Sequence, residues 1–371
     1  MTMLQGVKVL DFTTLLPGPF ATQTLADLGA DVLQIVSPTR HDLVRTLSPV
    51  DEEGMSAAGR QLHRSKEVLP LDLKEGGAKE RIYELIEQYD IIFEQFRPGV
   101  MARLGLDYET LHKINPRIIY CSITGYGQTG PYRDRAGHDL NYLSIAGIPN
   151  YSRRKGERPS PLGVQLADLA GGSLYSLVGV LAALYKRTQT GEGEYVDISM
   201  TDASFSLNVL FGSSVLATGE DVEPESNLLN GGDFYDYYET SDGRYLSVGS
   251  LEPPFRKKLC EIVGLEEWYE RTFTEDEMVL HAFKEALQER LKTRDFASWC
   301  AVFEEADCCV EPVLTLKEAM NHPQLRARGM IVGVPKEDGT VVQQIGQPIQ
   351  FQNYLPTYRH VGRIIPKGET T

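Results

Sequence analysis

The sequence predicts an α/β protein built on a mostly parallel sheet, and three observations near its start indicate this. A short apolar run at 7–12 has the length and composition of a strand, and a helical pattern at 19–28 follows it and ends at Gly29. A second apolar run at 31–36 completes a strand–helix–strand unit. Units of this kind place their strands side by side in parallel, with the helix packed on one face.

The same alternation of apolar runs and helical patterns continues through the first two hundred residues. The further predicted strands are 68–73, 90–93, 117–123 and 195–199, and the further predicted helices are 78–88 and 168–187. We therefore expect a large first domain in which helices flank one sheet.

The pattern changes after a helical stretch at 201–218. Two short apolar segments, 234–238 and 245–248, are separated by Ser241-Asp242-Gly243, which is typical of a β-hairpin. Amphipathic helices are predicted within 254–301. A smaller α+β domain is therefore expected to follow the first one.

The end of the chain is predicted to return to the large domain. Residues 313–329 have a helical pattern, and the segment 332–367, which Pro and Gly interrupt, predicts strands or an extended arm. We accordingly divide the chain into a large domain at 1–218, a small domain at 219–311 and a returning segment at 312–371.

Composition and charge exclude several classes of protein. The chain has 371 residues, of which 42% are hydrophobic, enough to bury a large core. Its 37 basic and 52 acidic residues give a net charge of -15, which argues against a nucleic-acid partner and against binding to an anionic membrane. An anionic ligand would therefore have to meet a local cluster of basic side chains.

Cysteine usage and hydropathy predict a cytoplasmic protein. The five cysteines form no C-x-x-C pair and no Cys/His spacing of a metal site, so free thiols in a reducing compartment are expected, without bound metal. We find no signal-peptide pattern at the start and no run approaching the roughly 20 apolar residues of a membrane span.

The segment 125–130 fits G-x-G-x-x-G and follows a predicted strand. A dinucleotide site also needs a helix that starts at this point and an acidic residue about 20 residues later. The residues after Gly130 instead predict a continuing loop, so neither requirement is met. Glycines that let the backbone approach a ligand closely, or a plain tight turn, are the remaining interpretations.

His138 and Asp168 carry the most informative pattern in the chain. Each lies in a weakly charged, Gly-rich stretch, and an imidazole and a carboxyl group on either side of a small substrate can remove and return a proton. The structural alternatives are a hydrogen-bonded loop histidine and an aspartate that caps a helix. Asp139 is an alternative orienting partner for His138.

A series of motifs from about Gly6 to Gly329 resembles the class III CoA-transferase family, the CaiB/BaiF type. The motifs are Leu10-Asp11-Phe12, Leu28-Gly29-Ala30-Asp31-Val32, Leu71-Asp72-Leu73-Lys74, Phe96-Arg97-Pro98-Gly99-Val100, the loop 125–131 and Gly137-His138-Asp139. Each motif is weak alone, but their order and spacing together are specific. The resemblance implies a Rossmann-like large domain, a small domain and an interlocked homodimer in which two ring-like subunits thread each other.

The resemblance also assigns roles to individual residues. Asp168 matches the catalytic aspartate of the transferases, whereas His138 and Glu252 resemble the pattern of the α-methylacyl-CoA racemase branch. Glu252 is expected to hydrogen-bond His138 and to favour its protonated form. Backbone N–H groups near Gly171 and Gly172 are expected to stabilise an enolate oxygen. The residues 163–167 depart from the racemase pattern, which bears on the surroundings of Asp168 and on substrate choice.

The nucleotide end of CoA is expected to meet basic side chains. By resemblance, Arg97, Arg103, Leu73 and Lys74 match the positions that hold it. Two further basic residues, Arg64 and Lys66, precede them and are expected to belong to the same cluster. Solvated surface cations are the structural alternative.

Three functions are compatible with the sequence. The first is an α-methylacyl-CoA racemase that exchanges an α-proton between His138 and Asp168. The second is a CoA-transferase with a covalent intermediate on Asp168. The third is a non-catalytic acyl-CoA-binding dimer. In each case an acyl-CoA is the ligand and no cofactor is expected.

Overall fold

The computed structural model describes residues 2–365 and divides the chain into two compact units. The first unit contains the residues up to Ala146, residues 162–207 and the described residues from His322 onward. The second unit contains residues 147–161 and 208–321. The second unit thus includes 147–161 and 208–218, which the sequence assigns to the large domain, and it ends at 321, where the sequence predicts 311. Met1 and residues 366–371, which belong to the predicted terminal segments, lie outside the described residues.

The strands are β1 (Lys8–Asp11), β2 (Asp31–Val36), β3 (Glu67–Pro70), β4 (Ile91–Glu94), β5 (Ile119–Thr124), β6 (Glu194–Ser199), β7 (Asp236–Glu239), β8 (Tyr245–Val248), β9 (Val310–Pro312), β10 (Ile331–Pro335), β11 (Val341–Ile345) and β12 (Arg363–Ile364). Seven of them form the large sheet of the first unit, in the order β12-β3-β2-β1-β4-β5-β6. All neighbouring strands in this sheet are parallel. The predicted α/β fold is therefore confirmed.

The α-helices are α1 (Pro17–Asp27), α2 (Ala57–Leu62), α3 (Ala78–Ile86), α4 (Val100–Leu104), α5 (Tyr108–Ile114), α6 (Asp139–Ile145), α7 (Ile148–Tyr151), α8 (Tyr175–Thr190), α9 (Met200–Ser206), α10 (Val209–Thr218), α11 (Pro253–Val263), α12 (Glu277–Leu291), α13 (Phe296–Phe303), α14 (Leu316–Ala319) and α15 (Pro323–Ala327). A π-helical segment, Ala167–Leu174, runs directly into α8. Short 3₁₀ turns lie at Leu43–Thr46, Glu266–Trp268 and Glu270–Thr272.

The strand order of the large sheet determines where a ligand can bind. Strands β1 to β3 extend in one direction from the centre, and β4 to β6 extend in the other, so the order reverses between β1 and β4. The loops that leave the carboxyl ends of these two strands diverge and open a crevice. Strands β4 and β5 are buried along their full length, because helices cover the sheet.

The second unit has its own core. Strands β7 and β8 form the predicted hairpin, and β9 adds a third antiparallel strand. Phe283 from α12 and Trp299 from α13 pack with the sheet in one buried cluster. The segment 147–161 belongs to this unit, and Arg154 binds Asp236 at 2.6 Å and Glu225 at 2.8 Å.

The helix predicted at 313–329 is wrong. The structure has two short helices there, α14 and α15, and the second begins with a proline at its first position. Pro323 has no N–H to donate and disfavours helical backbone in the residue before it, so a continuous helix is interrupted at this point. At the end of the described chain, β12 pairs with β3 in the large sheet.

One helix corrects the expectation that the chain contains no run long enough for a membrane span. Ala167–Thr190 is long and apolar enough to cross a membrane by length and composition alone. It packs on β5 and β6, and added atoms at Gly179 would press against Val196 of β6. This contact with the sheet is what a core helix makes.

Candidate active site

Two adjoining cavities lie in the first unit, where the parallel strands end. The large cavity, of about 830 Å³, is lined by the loops that follow β1, β2, β3 and β4. The small cavity, of about 450 Å³, is lined mainly by the residues that follow β1, β4 and β5. Four residues line both cavities: Leu15, Gln95, Phe96 and Arg97. They follow β1 and β4, the two strands between which the sheet order reverses.

His138 and Asp168 both line the small cavity. His138 is the residue before α6, and its backbone N–H donates to Asn141 Oδ1 at 3.0 Å. Asp168 is the second residue of the π-helical segment, a form of helix that is frequent at functional sites. Two residues that are 30 positions apart in the sequence thus face the same space, as the proton-transfer hypothesis requires.

Asp168 is half-buried, and its surroundings favour the protonated carboxyl group. Burial raises the pKa of Asp168 to about 6, and the negative charge of Asp139 contributes to the same rise. A carboxyl group in this range exchanges its proton near neutral pH. It can therefore act both as an acid and as a base.

Asp139 contacts the segment that carries Asp168. Its Oδ1 accepts hydrogen bonds from the backbone N–H groups of Ala167 at 2.6 Å and Asp168 at 3.1 Å. The sequence offers Asp139 as an orienting partner of the His138 side chain. In the structure its carboxylate is bound instead by the backbone at the start of the π-helical segment.

The Tyr142 ring fills the space beneath the glycine loop. A Cβ built on Gly137 would meet the ring at 2.6 Å, and Gly125 is in equally close contact. The Tyr142 hydroxyl donates to Gly137 O at 2.5 Å, and burial raises its pKa to about 12, with a further contribution from the Asp168 charge. Sequence reasoning missed Tyr142, because a tyrosine on an amphipathic helix carries no distinctive pattern.

The G-x-G-x-x-G stretch does not have the geometry of a dinucleotide site. Residues 125–138, all of which the structure describes, form loops and turns, and helix α6 begins only at Asp139. Gly125 packs against an aromatic ring, so its lack of a side chain already has a structural reason.

The four residues expected at the nucleotide end of CoA, Leu73, Lys74, Arg97 and Arg103, all line the large cavity. Leu73 and Lys74 follow β3, Arg97 follows β4, and Arg103 is on α4.

Three further basic side chains line the large cavity and were missed: Arg40, His41 and Arg45, which follow β2. Burial lowers the pKa of Arg45. Their position after the carboxyl end of a predicted parallel strand is the signal that could have found them.

Arg64 and Lys66 were wrongly expected to join this cluster. Both side chains are fully buried, and each forms an ion pair inside the fold: Arg64 with Asp27 at 2.6 Å and Lys66 with Asp11 at 3.2 Å. Buried charges need partners, and these two have partners within the protein.

Gly171 and Gly172 are not at the start of a helix, where they were expected to offer free N–H groups. Both are buried inside the π-helical segment, which begins four residues before Gly171. A Cβ on Gly172 would meet Pro17 at 2.9 Å, and one on Gly171 would meet Met200 O at 3.1 Å. These glycines allow the segment to pack closely against its neighbours.

Glu252 belongs to the second unit, where it precedes α11. Burial raises the pKa of the Cys309 thiol, and the charge of Glu252 adds to this effect. The hydrogen bond between Glu252 and His138 remains a prediction. Within residues 2–365, no group of three or more His, Cys, Asp and Glu side chains is arranged to hold a metal ion.

The model of CoA-transferase family III matches residues 4–365, nearly the whole described chain. The chain belongs to CoA-transferase family III. The resemblance seen in the motifs is thereby confirmed, and the family is one of enzymes that includes racemases and CoA-transferases.

The similar proteins include both a racemase and a CoA-transferase. The chain is 35% identical to human alpha-methylacyl-CoA racemase over 341 residues, which cover 90% of this chain and 84% of that protein. It is 34% identical to acetyl-CoA:oxalate CoA-transferase of Acetobacter aceti, over 96% of this chain and 91% of that protein. A solved CAIB/BAIF family protein from Brucella suis superposes with a TM-score of 0.84 at 31% identity, covering 97% of this chain and 95% of that one.

Proposed function

We propose that this family member epimerises a 2-methylacyl-CoA by moving the α-proton between His138 and Asp168. One observation carries the proposal. The two side chains line one cavity, and that cavity adjoins a second one lined by basic residues suited to the phosphates of CoA.

The chemistry needs two groups on opposite faces of one carbon. Neutral His138 removes the α-proton of one epimer, so that the C–H bond breaks, an N–H bond forms and an enolate remains. Protonated Asp168 then gives its proton to the other face, which forms the new C–H bond and leaves a carboxylate. For the other epimer the two residues exchange roles. The raised pKa of Asp168 supports this proposal, because it lets the carboxyl group hold a proton near neutral pH.

In the proposed reaction, His138 and Asp168 together hold one transferable proton. The forward reaction starts from neutral His138 and protonated Asp168, and the reverse reaction starts from protonated His138 and ionised Asp168. Both states contain the same number of protons, so the two epimers should show the same bell-shaped dependence on pH. No cofactor or metal enters this scheme.

Deuterium exchange tests the reaction. Incubation with a 2-methylacyl-CoA in deuterium oxide should place one deuterium on the α-carbon and interconvert the epimers, and His138→Ala or Asp168→Ala should abolish the interconversion, because each direction needs both groups. The control variants are His281→Ala and Asp134→Asn, which alter exposed residues of the same types. Undiminished interconversion of the epimers in either site variant would refute the two-base mechanism.

A CoA-transferase is the second candidate. The similarity to a CoA-transferase covers 96% of this chain. The motif resemblance places Asp168 at the position of the aspartate that forms the covalent intermediate in such enzymes. Hydroxylamine added during turnover with a carboxylate acceptor would attack the activated carbonyl of Asp168 and displace the bound carboxylate or CoA thiol, which leaves a hydroxamate on Asp168 that mass spectrometry detects. A trapped adduct without α-proton exchange supports the transferase, and binding without either reaction supports an acyl-CoA-binding protein.

We further propose that Lys74, Arg97 and Arg103 hold the phosphates of CoA from the large cavity, beside Leu73. CoA titration of the double variant Arg97→Ala/Arg103→Ala should show weaker binding. The control is Arg81→Ala, which removes a cation of α3 that pairs with Glu84. Unchanged affinity in the double variant would remove these residues from the site.

The proposal includes an interlocked homodimer in the cytoplasm. Support for a dimer comes from the resemblance to the family and from an exposed apolar face that α8 forms with Leu174, the residue before it. Leu174, Val178, Leu181 and Tyr185 lie at helical spacing on one face and are between 40 and 69% exposed. A face of this kind on a charged protein is typical of a surface that a partner covers.

A further inference from the structure

We infer that Asp139 is a positioning residue of the site: its carboxylate fixes the backbone that carries Asp168, and through this contact it controls the acid–base behaviour of Asp168. The two hydrogen bonds accepted by the Asp139 carboxylate are a property of the fold. Their catalytic meaning rests on the proposed function.

The geometry is that of a helix cap supplied by another element. The first N–H groups of a helix have no partner within the helix, and a carboxylate is one of the acceptors that commonly cap them. Here Asp139 of α6 accepts two such groups, from Ala167 at 2.6 Å and Asp168 at 3.1 Å, across 28 and 29 residues of sequence. Leu169 N–H donates to Gln165 O at 3.0 Å, so the next donor is satisfied locally.

The Asp139 contact links the two residues of the proposed proton transfer. Asp139 is the next residue after His138, and its side chain accepts a hydrogen bond from the backbone N–H of Asp168. Asp139 is not among the described residues that line the small cavity, so its role in the reaction is indirect. A change at Asp139 should therefore act through Asp168 and leave acyl-CoA binding intact.

The titratable and charged groups around Asp168 come from several elements. Asp139 and Tyr142 lie on α6, and His138 precedes it. The basic residues of the small cavity are Arg97, Arg133 and Arg135. Among these groups Asp139 is the one whose charge raises the pKa of Asp168, in addition to burial. A like charge beside a carboxyl group disfavours its ionised form.

Three variants separate the two effects. Asp139→Asn keeps an oxygen that can accept the N–H groups and removes the charge. Asp139→Ala removes both. Asp134→Asn is the control, since it removes one carboxylate from the loop preceding α6, where Asp134 pairs with Arg133 at 3.6 Å and is exposed.

The decisive measurement is the pKa of the Asp168 carboxyl group itself. Isotope-edited infrared or ¹³C NMR titration, assigned by loss of the signal in Asp168→Asn, reads it without any turnover. In Asp139→Asn it should fall by roughly one unit, and in Asp134→Asn it should stay at the wild-type value. An Asp168 pKa in Asp139→Asn that equals the wild-type value would overturn the inference.

Kinetics test the consequence for the reaction. In Asp139→Asn the acid limb of the α-proton exchange profile should move to lower pH, with KM for the acyl-CoA unchanged. In Asp139→Ala the loss of the tether should lower kcat by roughly tenfold to a hundredfold. If the wild-type protein shows no exchange, the proposed function fails, whereas the titration of Asp168 still decides whether Asp139 controls it.

Discussion

At the residue scale, Gly125 lies where no larger side chain fits, because the Tyr142 ring occupies the space beside it. A Cβ at this position would meet Tyr142 Cζ at 2.6 Å. We expect Gly125→Ala to lower the free energy of unfolding by about 1–3 kcal/mol, the usual cost of overpacking. Because Tyr142 is on the helix that carries Asp139, the substitution should also slow α-proton exchange. Urea unfolding and the exchange assay measure the two effects.

Gly163 provides the matched control for this prediction. An added Cβ there has nothing within 4 Å, so Gly163→Ala removes the same glycine flexibility without a clash. Equal stability of the two variants would show that the Tyr142 ring moves aside at no cost.

The single residues proposed for the site came from the family resemblance, because residue type and local spacing alone fit structural roles as well. His138 and Asp168 do line one cavity, and Arg97 and Arg103 line the adjoining one. The bond from Asp139 to Asp168 was not predictable, because it joins residues 29 positions apart that share no local pattern.

At the element scale, local hydrophobic patterns were sufficient for most of the first unit. The strand expected at 31–36 is found at Asp31–Val36, and the helix expected at 78–88 is found at Ala78–Ile86. These patterns do not predict the burial of a side chain where contacts between distant parts of the chain determine it. Lys66 has the sequence of an exposed cation before a strand, yet its ammonium group is buried between β1 and α1.

Lys66 connects two elements, β1 and α1, and its partner Asp11 is therefore predicted to be essential for stability. Its ammonium group contacts Asp11 at 3.2 Å at the end of β1, and Pro19 O at 2.9 Å and Thr22 Oγ1 at 2.6 Å in α1. Burial already lowers the pKa of Lys66. Asp11→Ala would leave this buried cation without its counter-charge, at a cost of about 3–5 kcal/mol in the free energy of unfolding.

An exposed ion pair between the neighbouring strand β2 and a loop residue is the control for Asp11. Asp31, at the start of β2, pairs with Arg359 at 3.1 Å, and both side chains are substantially exposed. Asp31→Ala should cost less than about 1 kcal/mol in the same urea experiment, because solvent screens the pair. Similar losses in the two variants would contradict the view that burial makes Asp11 important.

At the scale of the whole molecule, the sequence alone could establish the fold class but not the assembly. The spacing of apolar residues and the composition predict parallel strands with flanking helices, and the observed sheet has that form. No rule of local sequence predicts that two subunits thread each other, so the proposal of an interlocked homodimer rests on the family resemblance. The exposed face of α8 is the structural feature that makes the dimer testable.

The assembly prediction concerns mass and its response to dilution. Light scattering should give the wild-type protein twice the chain mass. Because threaded rings separate only if a subunit unfolds, the mass should not fall on dilution to nanomolar concentration. Val178→Asp places a charge on the exposed α8 face and should reduce the dimer fraction, whereas Leu355→Asp, at another exposed apolar position, should not. A wild-type protein of single-chain mass at micromolar concentration would refute the dimer, and a dimer that dissociates freely on dilution would refute the interlocking.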